Sequence, residues 1–401
     1  MLALRWRDHL SLICVCKQIY AEARESFFRR PLTCRSQDEL IRFVRTRPNV
    51  LLQSITNVRL HLQEVDSEVM QPFLARISVG MSNGPNQHPY LTEINRITRA
   101  LSMMPSVTEF SLLPPFNFTQ SVPSSTIVNA LLEWMTARHT MLHKLRIDFD
   151  SFHLDSLAIC RDLQSLQLSG YSETDDVRAA EIFSRLGSIE SLTVIGPPQG
   201  LQMRQRHGHQ ARIVQSITYR VLNHVRPLKR LVIKEAVEAS SGPVFLTSKT
   251  LRSIYEHHCE SLRMLHISSS LTPDAMFTTF LEALLMATPN IRELALTWPG
   301  MQVAFIECVP ASVQRLTLLA HSRPDAQALV DHLRAIQYRL PFLKHIRFEI
   351  INAAHGTATG GLSITPQLPP RLPPPFFTSN QEVPKDAPPF GFMLPIQNLN
   401  S

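Results

Sequence analysis

Along most of the chain one spacing of apolar positions recurs: a first apolar residue, then two more at three and five positions further on. It occurs as Ile55/Val58/Leu60, Val107/Phe110/Leu112, Leu142/Leu145/Ile147, Leu163/Leu166/Leu168 and Ile189/Leu192/Val194. It continues as Leu228/Leu231/Ile233, Leu262/Leu265/Ile267, Ile291/Leu294/Leu296, Val313/Leu316/Leu318 and Leu343/Ile346/Phe348. The last two members of each trio lie two residues apart, so they share one face of a short strand, and the first tucks into the same core just before it. Pro105, Pro227, Pro289, Pro310 and Pro341 stand shortly before a trio, where they stop a preceding helix and force an extended entry.

Helical periods fill the intervals. The stretch from Ser124 places Ile127, Leu131, Leu132 and Met135 on one face, and that from Ser322 does the same with Leu329, Leu333 and Ile336. Thr272 and Pro273 read as an N-cap and first helical residue, and Gly187 as a C-terminal cap. Strand, loop and helix repeating at an average of about 32 residues predict an α/β solenoid of about ten units over residues 49–351.

The trio resembles the L-x-x-L-x-L signature of leucine-rich repeats, carried ten times. The resemblance implies a horseshoe with strands on its concave side. The family's Asn or Cys, three positions after the last apolar residue, is replaced here by residues such as Gln63, Asp150, Tyr171 and Ser270. No asparagine ladder is therefore expected, and the horseshoe should be irregular and rich in helix.

Residues 1–48 precede the array. Leu12, Val15, Cys16, Ile19, Ala23 and Phe27 recur at helical spacing, which suits a helix capping the first unit. The segment LSLICVCKQIYAEA from Leu10 also resembles the second half of an F-box, with Val15-Cys16-Lys17 matching its best-known tripeptide, and is similar to a variant found in fungal F-box-like proteins with irregular leucine-rich repeats. Only nine residues precede the match, so the first helix of that module is missing from the resemblance. The resemblance implies a substrate receptor of a cullin-RING ubiquitin ligase. Leu10, Leu12, Val15, Cys16, Ile19 and Tyr20 would then face a Skp-type adaptor. The other reading is a repeat scaffold with no ubiquitin role.

Composition narrows the classes. With 401 residues the chain exceeds one compact core, which agrees with an array. A formal charge of +7 is mild for this length and reads as an ordinary basic surface, so nucleic acid is not the expected partner. The six cysteines, at 14, 16, 34, 160, 259 and 308, form no C-x-x-C pair. With no secretory pattern and no apolar run near the ~20 residues of a membrane span, an intracellular chain with reduced thiols is expected, and the sequon at Asn117 is expected to be idle. No nucleotide-binding, hydrolase or zinc-protease motif is present, so neither catalysis nor a cofactor or metal is expected. His257 and His258 read as helix-end histidines suited to the dipole, and Arg204–Arg212 as a solvated basic loop.

The residues alternating with the core positions are then the candidate partner surface. They are Arg59, His61, Lys144, Arg146, Gln167, Thr193, Arg230, Lys234, His266, Arg315 and Arg347, with acids such as Glu109, Asp148 and Glu293 among them. Their basic lean predicts a protein partner with an acidic patch. From residue 352 the period stops. Ten of the 29 prolines fall after residue 365, so 352–401 reads as an extended, disordered tail with a P-x-x-P-x-Arg motif at Pro366–Arg371.

Overall fold

The computed structural model describes residues 30–64, 89–115, 125–149, 152–196, 214–235, 245–269, 275–298, 303–320, 323–352 and 357–364. The F-box-like segment, the Thr272–Pro273 helix start, the sequon, the Arg204–Arg212 loop and the proline-rich stretch lie outside them.

The fold is α/β, with a mostly parallel sheet of twelve strands. The strands are β1 (Leu32–Cys34), β2 (Asn57–His61), β3 (Glu109–Leu113), β4 (Lys144–Ile147), β5 (Ser165–Ser169), β7 (Ser191–Ile195) and β9 (Arg230–Glu235). They continue as β10 (Met264–Ser269), β11 (Glu293–Thr297), β12 (Arg315–Ala320), β13 (His345–Asn352) and β14 (Thr357–Ile364). They lie side by side in chain order, and only the last pair is antiparallel. Two short strands, β6 (Tyr171–Ser172) and β8 (Val214–Gln215), pair separately.

Register explains the spacing seen in the sequence. The second trio members form one ladder, Val58–Phe110–Leu145–Leu166–Leu192–Leu231–Leu265–Leu294–Leu316–Ile346, and the third members form the next. Both ladders are buried and belong to a single core. Entry into each strand is equally regular. At nine successive steps among the described residues one carbonyl accepts two consecutive N–H groups of the next unit, from Thr56 O (Thr108 and Glu109 N–H, both 2.9 Å) to Gln314 O (Lys344 and His345 N–H, 2.8 and 3.1 Å). This satisfies the backbone where the helix has ended and the ladder has not begun.

Helices pack over the buried face in chain order. They are α1 (Gln37–Thr46), α2 (Asn49–Gln53), α3 (Pro89–Ser102), α4 (Ser125–Arg138), α5 (Asp176–Arg185), α6 (Tyr219–His224), α7 (Ser248–His258), α8 (Ala275–Met286) and α9 (Arg323–Ala335). The 3-10 turns Asp155–Ile159 and Val303–Cys308 take the helix position in two units. The expected inward faces of α4 (Ile127, Leu131, Leu132, Met135) and α9 (Leu329, Leu333) are buried. Helix starts follow capping chemistry: Ser36, Asp175 and Thr247 accept from the N–H of Glu39, Arg178 and Thr250.

Unit length varies on one side only. From the helix or 3-10 turn back to the next strand the chain uses five or six residues in most units, as in Ser102 to Glu109 and His258 to Met264. From strand to helix it uses two between Ala320 and Arg323 but 27 between His61 and Pro89.

Three features differ from the sequence reading. The sheet and its helix layer begin inside residues 1–48, with β1 and α1; Leu32 and Cys34 extend the two buried ladders but lack a first trio member, so the spacing does not reveal them. The last strand, β14, lies inside 352–401. Its Gly-rich sequence carries no period, and it pairs on the exposed edge that β13 offers. Finally, α5 ends on Leu186, whose N–H bonds Phe183 O, and Gly187 follows the cap.

Candidate interaction face

Strands of a purely parallel sheet are usually covered on both faces and read as continuous apolar runs. Here burial alternates along β2, β4, β9 and β10, and the second face is lined by polar side chains. The row between the buried ladders runs Arg59, Ser111, Arg146, Gln167, Thr193, Val232, His266, Ala295, Thr317 and Arg347 across ten strands in register. The row before it holds Lys144, Arg230 and Arg315. The structure therefore brings the predicted partner residues to one face, with Arg59, Lys144, Arg230, Lys234, Arg315 and Arg347 exposed and His61, Arg146, Gln167, Thr193 and His266 half-buried.

The face is less basic than its composition suggests, because acids in neighbouring strands neutralise part of it. Glu109 lies 3.4 Å from Lys144 and accepts from Asn57 at 2.6 Å. Asp148 pairs with Arg146, whose Nε donates at 2.9 Å, and accepts from Gln167 at 3.3 Å. Glu293 stands 3.3 Å from His266 Nε2 and 3.5 Å from Arg315. The His61 ring contacts Pro114 O at 2.7 Å. Asp148 and Glu293 act as hubs; both are readable as face residues from the spacing, but their partners Gln167, His266 and Arg315 sit one strand away and are not.

Arg59, Arg230, Lys234 and Arg347 make no ion pair with another described residue. Arg230 and Lys234 stand on the same strand beside His266. Burial lowers the His266 pKa, the Glu293 carboxylate opposes this, and the cations of Lys234 and Arg230 reinforce it. Arg230 and Lys234, which pair with no other described residue, thus flank the ring. This Arg230/Lys234/His266 group is suited to a carboxylate-bearing surface.

His258 is not a dipole-facing residue. It is 1% exposed; its Nδ1 accepts from Leu228 N–H at 3.2 Å, and its Nε2–H donates to Leu222 O at 3.0 Å. In several units the first trio member bonds a carbonyl three residues back, as Leu142 does with His139 O and Leu343 with Leu340 O. At Leu228 the imidazole of the next unit supplies the acceptor instead. Burial pushes its pKa down to about 4.

A polar cluster that the sequence reading missed lies under β6 and β8. Ser172 and Ser216 hydroxyls meet at 2.6 Å, and Ser216 donates to Thr174 O at 2.6 Å. Nearby, Phe245 N–H donates to Glu235 at 2.5 Å, and the Phe245 ring lies so close to Gly170 that a Cβ there would come within 1.9 Å of it. All these groups are enclosed, which suits support of the sheet rather than chemistry. Burial raises the thiol pKa of Cys34 to about 12 and of Cys160 to about 11, so neither is a nucleophile near neutral pH. Among the described residues no group of three or more His, Cys, Asp or Glu could hold a metal, and no helix is long and apolar enough to cross a membrane.

No family model matches the chain, and no curated protein does. Among solved structures it is similar to the crystal structure of the Rad7 and Elc1 complex in yeast, at 15% sequence identity and a TM-score of 0.42, over 85% of this chain and 82% of that one.

Proposed function

We propose that this chain is a non-catalytic protein-interaction module, a leucine-rich-repeat solenoid that binds an acidic protein surface on the open face of its sheet. The observation that carries the reading is the in-register polar face with Arg230 and Lys234 at its middle, cations that make no ion pair with another described residue, on a sheet type that is ordinarily covered. The finer proposal is a substrate receptor of a cullin-RING ubiquitin ligase, with the open face holding substrate and Leu10–Tyr20 holding the Skp-type adaptor. Its support is the F-box-like segment.

Co-purification of the full chain with a Skp-type adaptor, beside a Val15→Asp/Ile19→Asp variant, tests the finer reading. Binding that the variant loses supports it, and failure of the unaltered chain to bind refutes it. A photo-crosslinker at Val232, between Arg230 and Lys234, tests the face. Its product should vanish in Arg230→Glu/Lys234→Glu, and a product unchanged by that reversal refutes the acidic-partner reading.

One observation favours the scaffold without a ligase role. The edge strand of the sheet, β1, begins at Leu32, nine residues after the F-box-like segment ends at Ala23. On this reading the helical spacing of residues 10–28 serves as the cap that the sequence suggests for that edge.

A further inference from the structure

The carbonyls that accept two N–H groups of the next unit each stand one residue after a first trio member, so they mark one row along the strand-entry edge of the sheet. In the first half the row reads Thr56, Thr108, His143, Gln164 and Glu190. In the second half it reads Lys229, Arg263, Arg292 and Gln314, and the next position is Lys344, whose N–H bonds Gln314 O. Arg230 and Arg315 stand in the adjoining row, on β9 and β12. The charge of the whole chain is mild, yet folding gathers its cations here. Glu190 lies 2.5 Å from Lys229 and Glu293 3.5 Å from Arg315. Arg263, Arg292 and Lys344 are exposed and make no ion pair with another described residue, and Glu260, exposed in the turn before Leu262, pairs with none of them.

Like charges on neighbouring strands repel, so this row costs the unbound chain stability. The fold does not require it, since Thr56, Thr108 and Gln164 make the same backbone bonds without charge. A row of this kind gains when an anion covers it.

Spacing and sign define the partner. Strands lie about 4.8 Å apart, so the four steps from Lys229 to Lys344 span about 19 Å. An extended polypeptide advances about 3.4 Å per residue and covers that distance with about six residues. Glu190 borders the row and Glu293 interrupts it. A phosphodiester chain carries a charge at every residue and would meet both, whereas a polypeptide can set a neutral or basic residue opposite each.

We infer that an extended acidic segment of a partner protein lies across the entry ends of β9 to β13, with its carboxylates on Arg263, Arg292 and Lys344. This rests on the acidic-partner reading of the open face and names the element that the partner presents to it.

A fluorescent decapeptide of alternating Glu and Ser, titrated with the full chain at low salt and read by anisotropy, tests this. Arg263→Glu/Arg292→Glu/Lys344→Glu should weaken its binding about tenfold or more, and Gln at the same three positions about fivefold. The Gln variant should melt no lower than the unaltered chain, because it removes only repulsion. Arg42→Glu/Arg99→Glu/Arg138→Glu makes the same change of net charge at exposed helix residues and should leave binding within about twofold. Equal losses in the two reversal variants overturn the inference, as does failure of the unaltered chain to bind the peptide. Tighter binding of an oligothymidylate of the same length overturns the choice of partner. Any of these beside a Val232 crosslink that still depends on Arg230 and Lys234 leaves the acidic-partner reading of the face standing, and loss of that dependence overturns that reading separately.

Discussion

His258 ties two units together through a ring that must be neutral to do so, and this gives its removal a definite pH signature. Its Nδ1 accepts from Leu228 N–H, so the proton sits on Nε2, which donates to Leu222 O. A second proton would abolish the acceptor and charge a buried ring. The folded pKa is about 4, below the ordinary 6.5, with burial the main cause, the Leu222 carbonyl opposing it and His257 adding to it. Above pH 6.5 both folded and unfolded chains hold the ring neutral, and the site imposes no pH dependence. As pH falls through 6.5 the unfolded chain takes up a proton that the folded chain refuses, so stability is lost down to about pH 4. The whole window corresponds to about 3 kcal/mol, and to about 2 kcal/mol by pH 5. In His258→Gln the site no longer titrates. Urea unfolding at pH 7.5 and pH 5 should show the unaltered chain losing about 2 kcal/mol more than the variant. At pH 7.5 the variant should itself be about 1–3 kcal/mol less stable, from the bond to Leu228 or Leu222 it cannot remake. Parallel losses in the two proteins between the two pH values would refute the assignment of His258 as a neutral bridge.

Other outcomes follow from packing and charge. Leu265, fully buried in the second-member ladder, should cost about 2–5 kcal/mol when changed to Ala, whereas its half-buried neighbour Met264 should cost under about 1 kcal/mol; chemical denaturation compares them. Gly170→Ala should destabilise by about 1–3 kcal/mol because its Cβ meets the Phe245 ring, and Phe245→Leu in the same chain should return part of the loss, read as melting temperature. Arg230→Glu/Lys234→Glu should leave unfolding within about 0.5 kcal/mol while abolishing the crosslink at Val232, since both side chains are exposed.

The trio spacing was sufficient to place β2 to β5, β7 and β9 to β13, because each trio meets the next in register and a strand of this kind needs only two inward residues. The inward faces of α4 and α9 were legible for the same reason, as periodic burial against a neighbouring layer. β1 and β14 were not. Their evidence is the pairing partner beside them, since a three-residue edge strand and a Gly-rich return strand hold no period of their own.

The candidate face divides along the same line. Alternation along each strand determined which residues face away from the core, and the spacing alone named Arg59, Arg230, Lys234 and Arg347 among them. Which charges remain available was decided largely across strands: Glu109 and Glu293 take up Lys144 and Arg315 because parallel register sets those side chains next to one another, at sequence separations of 35 and 22 residues, while Asp148 takes up Arg146 two residues back on its own strand. The same holds for His258, whose position at a helix end reads as suited to the dipole until the strand entry of the preceding unit closes over it. Period and polarity are local properties that a single chain carries in its order. Neutralisation, burial of a lone polar group and the covering of an edge depend on neighbours brought together only by folding.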